Sequence, residues 1–336
     1  MIIKYSLNGT EFETEKTNEA LEITSTTKQN RTTVTIKALK EIDILGAYIH
    51  EDYQYHKKDL IFANGYQSWT DTKEFMITEK LNNIYSKPKF LVDKFAFDKY
   101  GDAPFKKYSK TVIHGYDYSY VKGDKPVFIG TYNAKNAYLI INHDIKNNEI
   151  VLESDCKITL KPNQTFIAFD YAFVYGNVDV VIKAFFPKKI KEDNIFGYTS
   201  WYNHYQNINE QIILDNLKNI DSRFNLFQID DGYEPFVGDW INPDKNKFPN
   251  GLEGICNEIK KKGITPGIWL APFVAEEKSE VFNNHKDWFY KDKDGNPVKC
   301  GCNWSGFYVL DFYNPEARAY IVEALEHYQN MGFRLF

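Results

Sequence analysis

The pattern of apolar residues changes character near residue 190, and that change limits the chain to a two-part fold. Before it, short alternating runs over residues 32–39, 137–142, 149–153 and 165–174 are rich in Thr, Val, Ile and Tyr. Turn sequences break them, among them Asn8-Gly9 and Lys161-Pro162-Asn163. A two-residue period with this turn chemistry predicts a β-sandwich. In this half only residues 178–186 read as a helix near the end of the region. The charged, polar stretch Lys188–Asn194 is the expected joint. It gives an N-terminal β-sandwich domain over residues 1–190 and a second domain over residues 191–336.

After the joint, strand-like runs alternate with amphipathic helices. Residues 196–201 form a short extended run. A helix capped by Asn209 follows, with Ile208 and Ile213 at staple positions and Ile213, Leu217 and Ile220 as its apolar stripe. Leu226-Phe227-Gln228-Ile229 then runs into Asp230-Asp231-Gly232-Tyr233. A second helix is expected from about Asn250, with Glu253 completing a capping box, to Gly263. Extended runs at residues 265–273 and 308–311 flank a long insertion. Asn314-Pro315 opens another helix that ends near Gly332. Residues 333–336 read as the start of a further strand. Apolar strands alternating with helices predict a parallel sheet buried on both faces. Polar and aromatic residues gather just past the strand ends, which in a (β/α)8 barrel is the active-site face. An open doubly wound sheet would place ligands similarly. The chain carries neither G-x-G-x-x-G nor G-x-x-x-x-G-K-[ST], so the barrel is preferred and no nucleotide cofactor is expected.

Composition narrows the function classes. The 336 residues carry a formal charge of −5 and only four Arg, which argues against a nucleic-acid partner. No apolar run approaches a membrane span, and Met1–Tyr5 reads as a strand rather than a secretory leader. A cytoplasmic location is therefore expected. Four Cys do not make a disulfide framework, Cys300-x-Cys302 lacks further zinc ligands, and the seven His show no metal spacing. No metal is expected, His204 included.

Asp230 and Asp231 directly follow an apolar strand. One of them could cap the turn at Gly232, or the pair could accept hydrogen bonds from a polyhydroxylated ligand. Five of the six Trp lie between positions 201 and 304 (Trp201, Trp240, Trp269, Trp288 and Trp304). Indole faces stack on the apolar side of a sugar ring while carboxylates bind its hydroxyl rim, although some of these Trp are core. In the N-terminal half, Asn64-Gly65-Tyr66-Gln67-Ser68-Trp69-Thr70 places Trp69 in a loop, either packed between sheets or forming an aromatic platform.

Several of these stretches together resemble glycoside hydrolase family 36, the clan D retaining α-galactosidases. They are Ser200-Trp201-Tyr202, Ile229–Tyr233, Gly238-Asp239-Trp240 with Lys247–Leu252, Gly267–Phe273, and Val309–Phe312 with Asn314-Pro315-Glu316. Residues 64–70 resemble the family's N-terminal N-G-x-Q-S-W-T segment. The resemblance implies a β-supersandwich followed by a catalytic (β/α)8 TIM barrel, and an α-galactosidase acting on galactose-containing oligosaccharides. By that resemblance Asp230 and Asp231 bind the sugar's 4- and 6-hydroxyls. Trp269 lines the pocket from the third barrel strand, and Trp201 is the aromatic after the first. Many members use an Arg before the third helix's Leu-Asp run; Cys302–Phe307 has none, and Asn303 or Trp304 is the expected occupant. The family's nucleophile lies in a Lys-x-Asp at the end of the fourth strand and its acid/base on the sixth. Both are expected beyond Phe336, so the chain is expected to hold the first half of the barrel, truncated at the fourth strand and catalytically incomplete. The resemblance also implies a homo-oligomer in which residues 64–70 approach a neighbouring site. Galactosyl transfer of the raffinose- or stachyose-synthase type, and a non-catalytic carbohydrate-binding protein, are the alternative functions.

Overall fold

The computed structural model describes residues 1–65, 70–79, 88–95, 106, 109–135, 137–187 and 194–336. Trp69 and most of the expected joint, Lys188 to Asp193, lie outside the described residues. Contacts divide the chain into two units, Met1–Lys189 and Ile190–Phe336.

The first unit is two antiparallel seven-stranded sheets. One runs in the order Thr10–Thr14, Ile2–Leu7, Ile42–Asp52, Glu149–Asp155, Tyr138–Asp144, Val112–Tyr116, with Ile158–Leu160 also paired to Ile42–Asp52. The other runs Leu21–Lys28, Arg31–Ala38, Thr165–Tyr175, Val127–Thr131, Tyr118–Lys122, Leu60–Ala63, Lys73–Met76. Alternation does the sorting. In Arg31–Ala38 the buried side chains are Val34, Ile36 and Ala38, and in Glu149–Asp155 they are Ile150, Leu152 and Ser154. Val34, Ile36, Ala38, Ile150 and Leu152 enter one apolar core with Ile3, Ile44, Ile129 and Ile141. Asn8 and Gly9 both take positive φ (53° and 79°), the tight hairpin turn their sequence predicts. The expected helix is present as Val178–Phe185, capped by Asn177. A second helix, Lys89–Phe95, carried no clear periodicity in sequence.

Polar groups are also buried in this unit, His143 among them with a partner at each ring nitrogen. His143 is fully buried, with Nδ1 3.0 Å from Tyr55 Oη and Nε2 2.7 Å from Ser119 Oγ. Ser119 Oγ donates to the Phe62 carbonyl at 2.5 Å. His143 Nε2–H therefore donates to Ser119, and Nδ1 accepts from Tyr55. The neutral ring is satisfied on both sides, and burial lowers its pKa from 6.5 to about 3.

The second unit holds three parallel strands in chain order, β1 (Gly197–Thr199), β2 (Leu226–Ile229) and β3 (Thr265–Ile268). Leu335 bridges to Gly267 in the same parallel sense, extending the order by one position. Helices α1 (Glu210–Lys218), α2 (Glu253–Lys261) and α3 (Pro315–Met331) follow β1, β2 and β3. Asn209 Oδ1 caps α1 by accepting from Ile212 N at 2.9 Å, and Asn314 caps α3 ahead of Pro315. Ile213 and Leu217, then Ile255, Cys256 and Ile259, then Ala324 and Tyr328 pack on Phe227, Ile229 and Ile268. This sequential strand and helix order is that of a (β/α)8 barrel.

Three expectations are corrected. Asn250 does not cap α2, whose N-cap is Leu252; its amide instead donates to Glu210 Oε1 at 2.9 Å. The strand expected over residues 265–273 ends at Ile268. The run expected over residues 308–311 is Phe307–Val309, and it pairs antiparallel with Val274–Glu276 and Lys299–Gly301 in a separate sheet. That sheet has its own small core of Ala275, Phe282, Phe289, Leu310 and Ile321, which explains why the long insertion is structured.

Unfolding protonates His143, so its burial supports stability fully above the unfolded value near pH 6.5 and progressively less below it. The first unit should lose about 1.4 kcal/mol per pH unit between about pH 6.5 and 5 from this group. Urea unfolding of wild type and His143→Gln across that range checks this, and the variant should lack that component.

Candidate functional site

Strand register sets which side chains share a face. Gly197, Tyr198 and Thr199 pair with Leu226, Phe227 and Gln228, and Gln228 and Ile229 pair with Gly267 and Ile268. Phe227, Ile229 and Ile268 point to the helices. The opposite, inward face therefore carries Thr199, Gln228 and Gly267. One step further along it come Asp230 and Trp269. Trp269 N donates to the Ile229 carbonyl at 2.9 Å, which holds the two in step.

The inward neighbours hold Asp230 in place. Its Oδ2 accepts from Thr199 Oγ1 at 2.9 Å and from Gln228 Nε2 at 2.7 Å. Its Oδ1 accepts from the Asp231 amide at 2.9 Å, and its own amide donates to Ser200 Oγ at 2.9 Å. Asp231 turns the other way and is 2 % exposed. Its Oδ2 accepts from Gln206 Nε2 at 3.0 Å and from the Trp304 indole N–H at 2.9 Å. Gly232 (φ 111°) makes the sharp turn that follows, and a side chain there would strike the Gln206 backbone at 2.5 Å. Lys247 Nζ staples the two loops by donating to the Gln206 and Gly232 carbonyls at 3.1 and 2.9 Å.

A cavity of about 330 Å³ opens beside this turn, lined by Gln206, Asp231, Glu234, Lys247, Lys278 and Trp304 among others. Two buried carboxyls shape it. Glu276 accepts from Val237 N and Ser305 N, both at 2.9 Å, and from Ser305 Oγ at 2.7 Å, joining the segment after β2 to the loop that carries Trp304. Glu234 is 3 % exposed and accepts from Gly232 N at 3.3 Å. Burial, then a hydrogen bond to Asp231, then the Asp231 charge push its pKa well above the usual carboxylate range. Trp304 itself sits at φ 54°, a left-handed backbone costing about 1–2 kcal/mol in a non-glycine residue.

Of the residues singled out in sequence, Asp230, Asp231, Trp269 and Trp304 come together. The Trp304 and Trp269 rings lie 6.3 Å apart. Asn303 sits beside Trp304, its carbonyl accepting from Gly306 N at 2.9 Å. Trp201 lies two residues past the end of β1. It begins the helical turn Trp201–His204, and its ring packs edge-on to Tyr205 at 5.3 Å. Trp240 and Trp288 belong to the apolar cores. His204 Nε2 is occupied by the Asn203 and Asn216 amides at 2.9 and 3.0 Å. No group of three or more metal-ligating side chains occurs among the described residues, and no described helix is long and apolar enough to cross a membrane. Sequence reading missed Thr199, Gln206, Glu234 and Glu276. Thr199 was accessible from the period-2 pattern of β1. Gln206 and Glu234 lie in loops whose course the sequence does not show, and Glu276 ends a short strand inside the long insertion.

Removing the Glu276 carboxylate leaves two backbone N–H groups and a hydroxyl without their acceptor. Glu276→Ala should destabilise this unit by about 2–3 kcal/mol in urea and increase protease cleavage around residues 300–306.

Comparison with known proteins agrees with this arrangement. Residues 180–331 match the Melibiase family model. The α-galactosidase AgaA of Geobacillus stearothermophilus is 27% identical over 136 residues, 38% of this chain and 18% of that protein. An Escherichia coli α-galactosidase is 34% identical over 107 residues, 28% of this chain and 14% of that protein. The solved structure of the Thermus thermophilus α-galactosidase TtGalA with stachyose superposes with a TM-score of 0.66 at 20% identity, covering 99% of this chain and 65% of that one. The AgaA structure with 1-deoxygalactonojirimycin, a family 36 enzyme, gives 0.61 at 16%, covering 93% of this chain and 46% of that one. The chain thus spans less than two thirds of each of these relatives. In sequence over its second half and in fold along its length, it resembles the glycoside hydrolase family 36 α-galactosidases.

Proposed function

We propose that this chain supplies the galactose-recognising part of a retaining α-galactosidase that acts on terminal α-galactosyl residues of galacto-oligosaccharides. The reading rests on Asp230 at the C-terminal end of β2, on the inward face, with Trp269 one strand over at the same level. An indole face suits the apolar C–H side of a sugar, and a fixed carboxylate suits its hydroxyls. The α-galactosidase relatives and the structure of one of them with stachyose support the same substrate class.

Asp230 and Asp231 are assigned to binding. Retaining hydrolysis needs a nucleophile and an acid/base about 5–5.5 Å apart on opposite sides of the scissile bond. Two adjacent carboxylates, each already held by several donors, face away from one another and do not form such a pair. The nucleophile and acid/base are further groups that this assignment requires.

Calorimetric titration with galactose and glucose tests the reading. Galactose is expected to bind in preference, and Asp230→Ala to weaken it by about 10–100-fold. Equal affinity for the two sugars, or an unaffected Asp230→Ala variant, would overturn the assignment.

A further inference from the structure

The carboxyl of Glu234 has no task in the reading above, yet it occupies a place where a charge is expensive. The turn at Gly232 folds residues 231–234 back on themselves, so Asp231 and Glu234 line the same cavity wall. Asp231 Oδ2 is taken by Gln206 and Trp304. Asp231 Oδ1 is buried and has no ordinary donor among the described residues. Glu234 Oε2 accepts from the Gly232 amide, its own amide also acts on the carboxyl, and Oε1 is the oxygen that can carry a proton toward Asp231.

We propose that Glu234 is a positioning residue for Asp231: its neutral carboxyl donates to Asp231 Oδ1, and the pair holds one negative charge between them. One proton thus satisfies the orphaned oxygen and removes the repulsion between two buried carboxylates. The direction of the Glu234 pKa agrees with this, since Asp231 acts on it both by hydrogen bond and by charge. Other groups face the same carboxyl. The Tyr233 and Tyr328 phenols interact with its charge, Lys247 anchors the Gly232 carbonyl, and Glu276 and Lys278 share the cavity. Asp231 is then pinned at both oxygens in the orientation that also seats Trp304. The consequence for sugar binding rests on the galactose reading; the shared proton does not.

The sign of the pH effect follows. The folded pKa of Glu234 lies above its usual 4.5, so the stabilisation is complete below about 4.5 and is lost as pH rises through the folded value. Gln at this position keeps an acceptor for Gly232 and a donor for Asp231 at every pH.

Infrared spectra of the chain with isotope-labelled Glu, intrinsic fluorescence and melting temperature across pH 5–9, and galactose titration would be compared for wild type, Glu234→Gln and Glu234→Ala. Wild type should show a carboxylic-acid band at neutral pH that Glu234→Gln lacks. Its tryptophan emission should shift with pH as the Trp304 contact loosens, whereas Glu234→Gln stays flat. The melting temperature of Glu234→Gln should rise above that of wild type by an amount that grows with pH. Galactose affinity should survive in Glu234→Gln and fall about 10-fold or more in Glu234→Ala. Absence of the acid band, or the same pH response in wild type and Glu234→Gln, would overturn the shared proton even if Glu234→Ala fails to fold. An acid band with a flat Glu234→Gln response but no galactose binding supports the shared proton and overturns the sugar reading instead.

Discussion

The parallel register of β1, β2 and β3 is the constraint on which the rest of the second unit depends. With a period of two, the pairing of Phe227 with Tyr198 and Pro266 commits every neighbour. Ile229 and Ile268 must face the helices, and Gln228, Asp230 and Trp269 must face inward. A slip of one residue would turn Asp230 into the apolar layer built by Ile213, Ile255 and Tyr328. The packing of α1, α2 and α3 therefore does two things at once. It supplies burial energy and it fixes which oxygens and rings reach the site.

Carboxylates collect at the end of β2 without an ion pair to a cation among the described residues. Asp230, Asp231, Glu234 and Glu276 are all buried. Each is compensated by neutral donors: Thr199, Gln228 and the Asp231 amide; Gln206 and the Trp304 indole; the Gly232 amide; Val237 and Ser305. Neutral donors offset less than an ion pair would, but they leave net negative charge in place and fix its direction. A protein that needed these groups only for stability would gain by replacing them with apolar residues. Their retention in a tight cluster beside a cavity is what makes the strand end a site rather than a turn.

The legibility of this arrangement in sequence varied with the kind of force involved. The two sheets of the first unit were readable because alternation and turn chemistry act locally, as Asn8-Gly9 and Arg31–Ala38 show. The caps at Asn209 and Asn314 were readable for the same reason. Asn250 was not, because Glu210, forty residues away in the chain, competes for its amide and Leu252 starts the helix instead. The run expected at 308–311 could not be assigned to a sheet in advance, because extended apolar segments carry no mark of which sheet they join. The inward placement of Asp230 follows from counting along β2. The partners of Asp231 could not be counted, since Gln206 and Trp304 arrive from loops 25 and 73 residues distant.

Trp304 shows how far the loop chemistry alters the site. In this chain a neutral indole N–H reaches Asp231. A guanidinium there would cancel the carboxylate charge and would make protonation of a neighbouring acid unnecessary. An indole cannot cancel it, so the Asp231 charge remains and a second carboxyl three residues on persists by keeping its proton. The left-handed backbone at Trp304 and the Glu276–Ser305 clamp both serve to hold that indole against Asp231. A neutral donor at Trp304 and retention of a proton at Glu234 are thus two sides of one electrostatic balance. A cation placed at position 304 would be expected to return Glu234 toward an ordinary carboxylate.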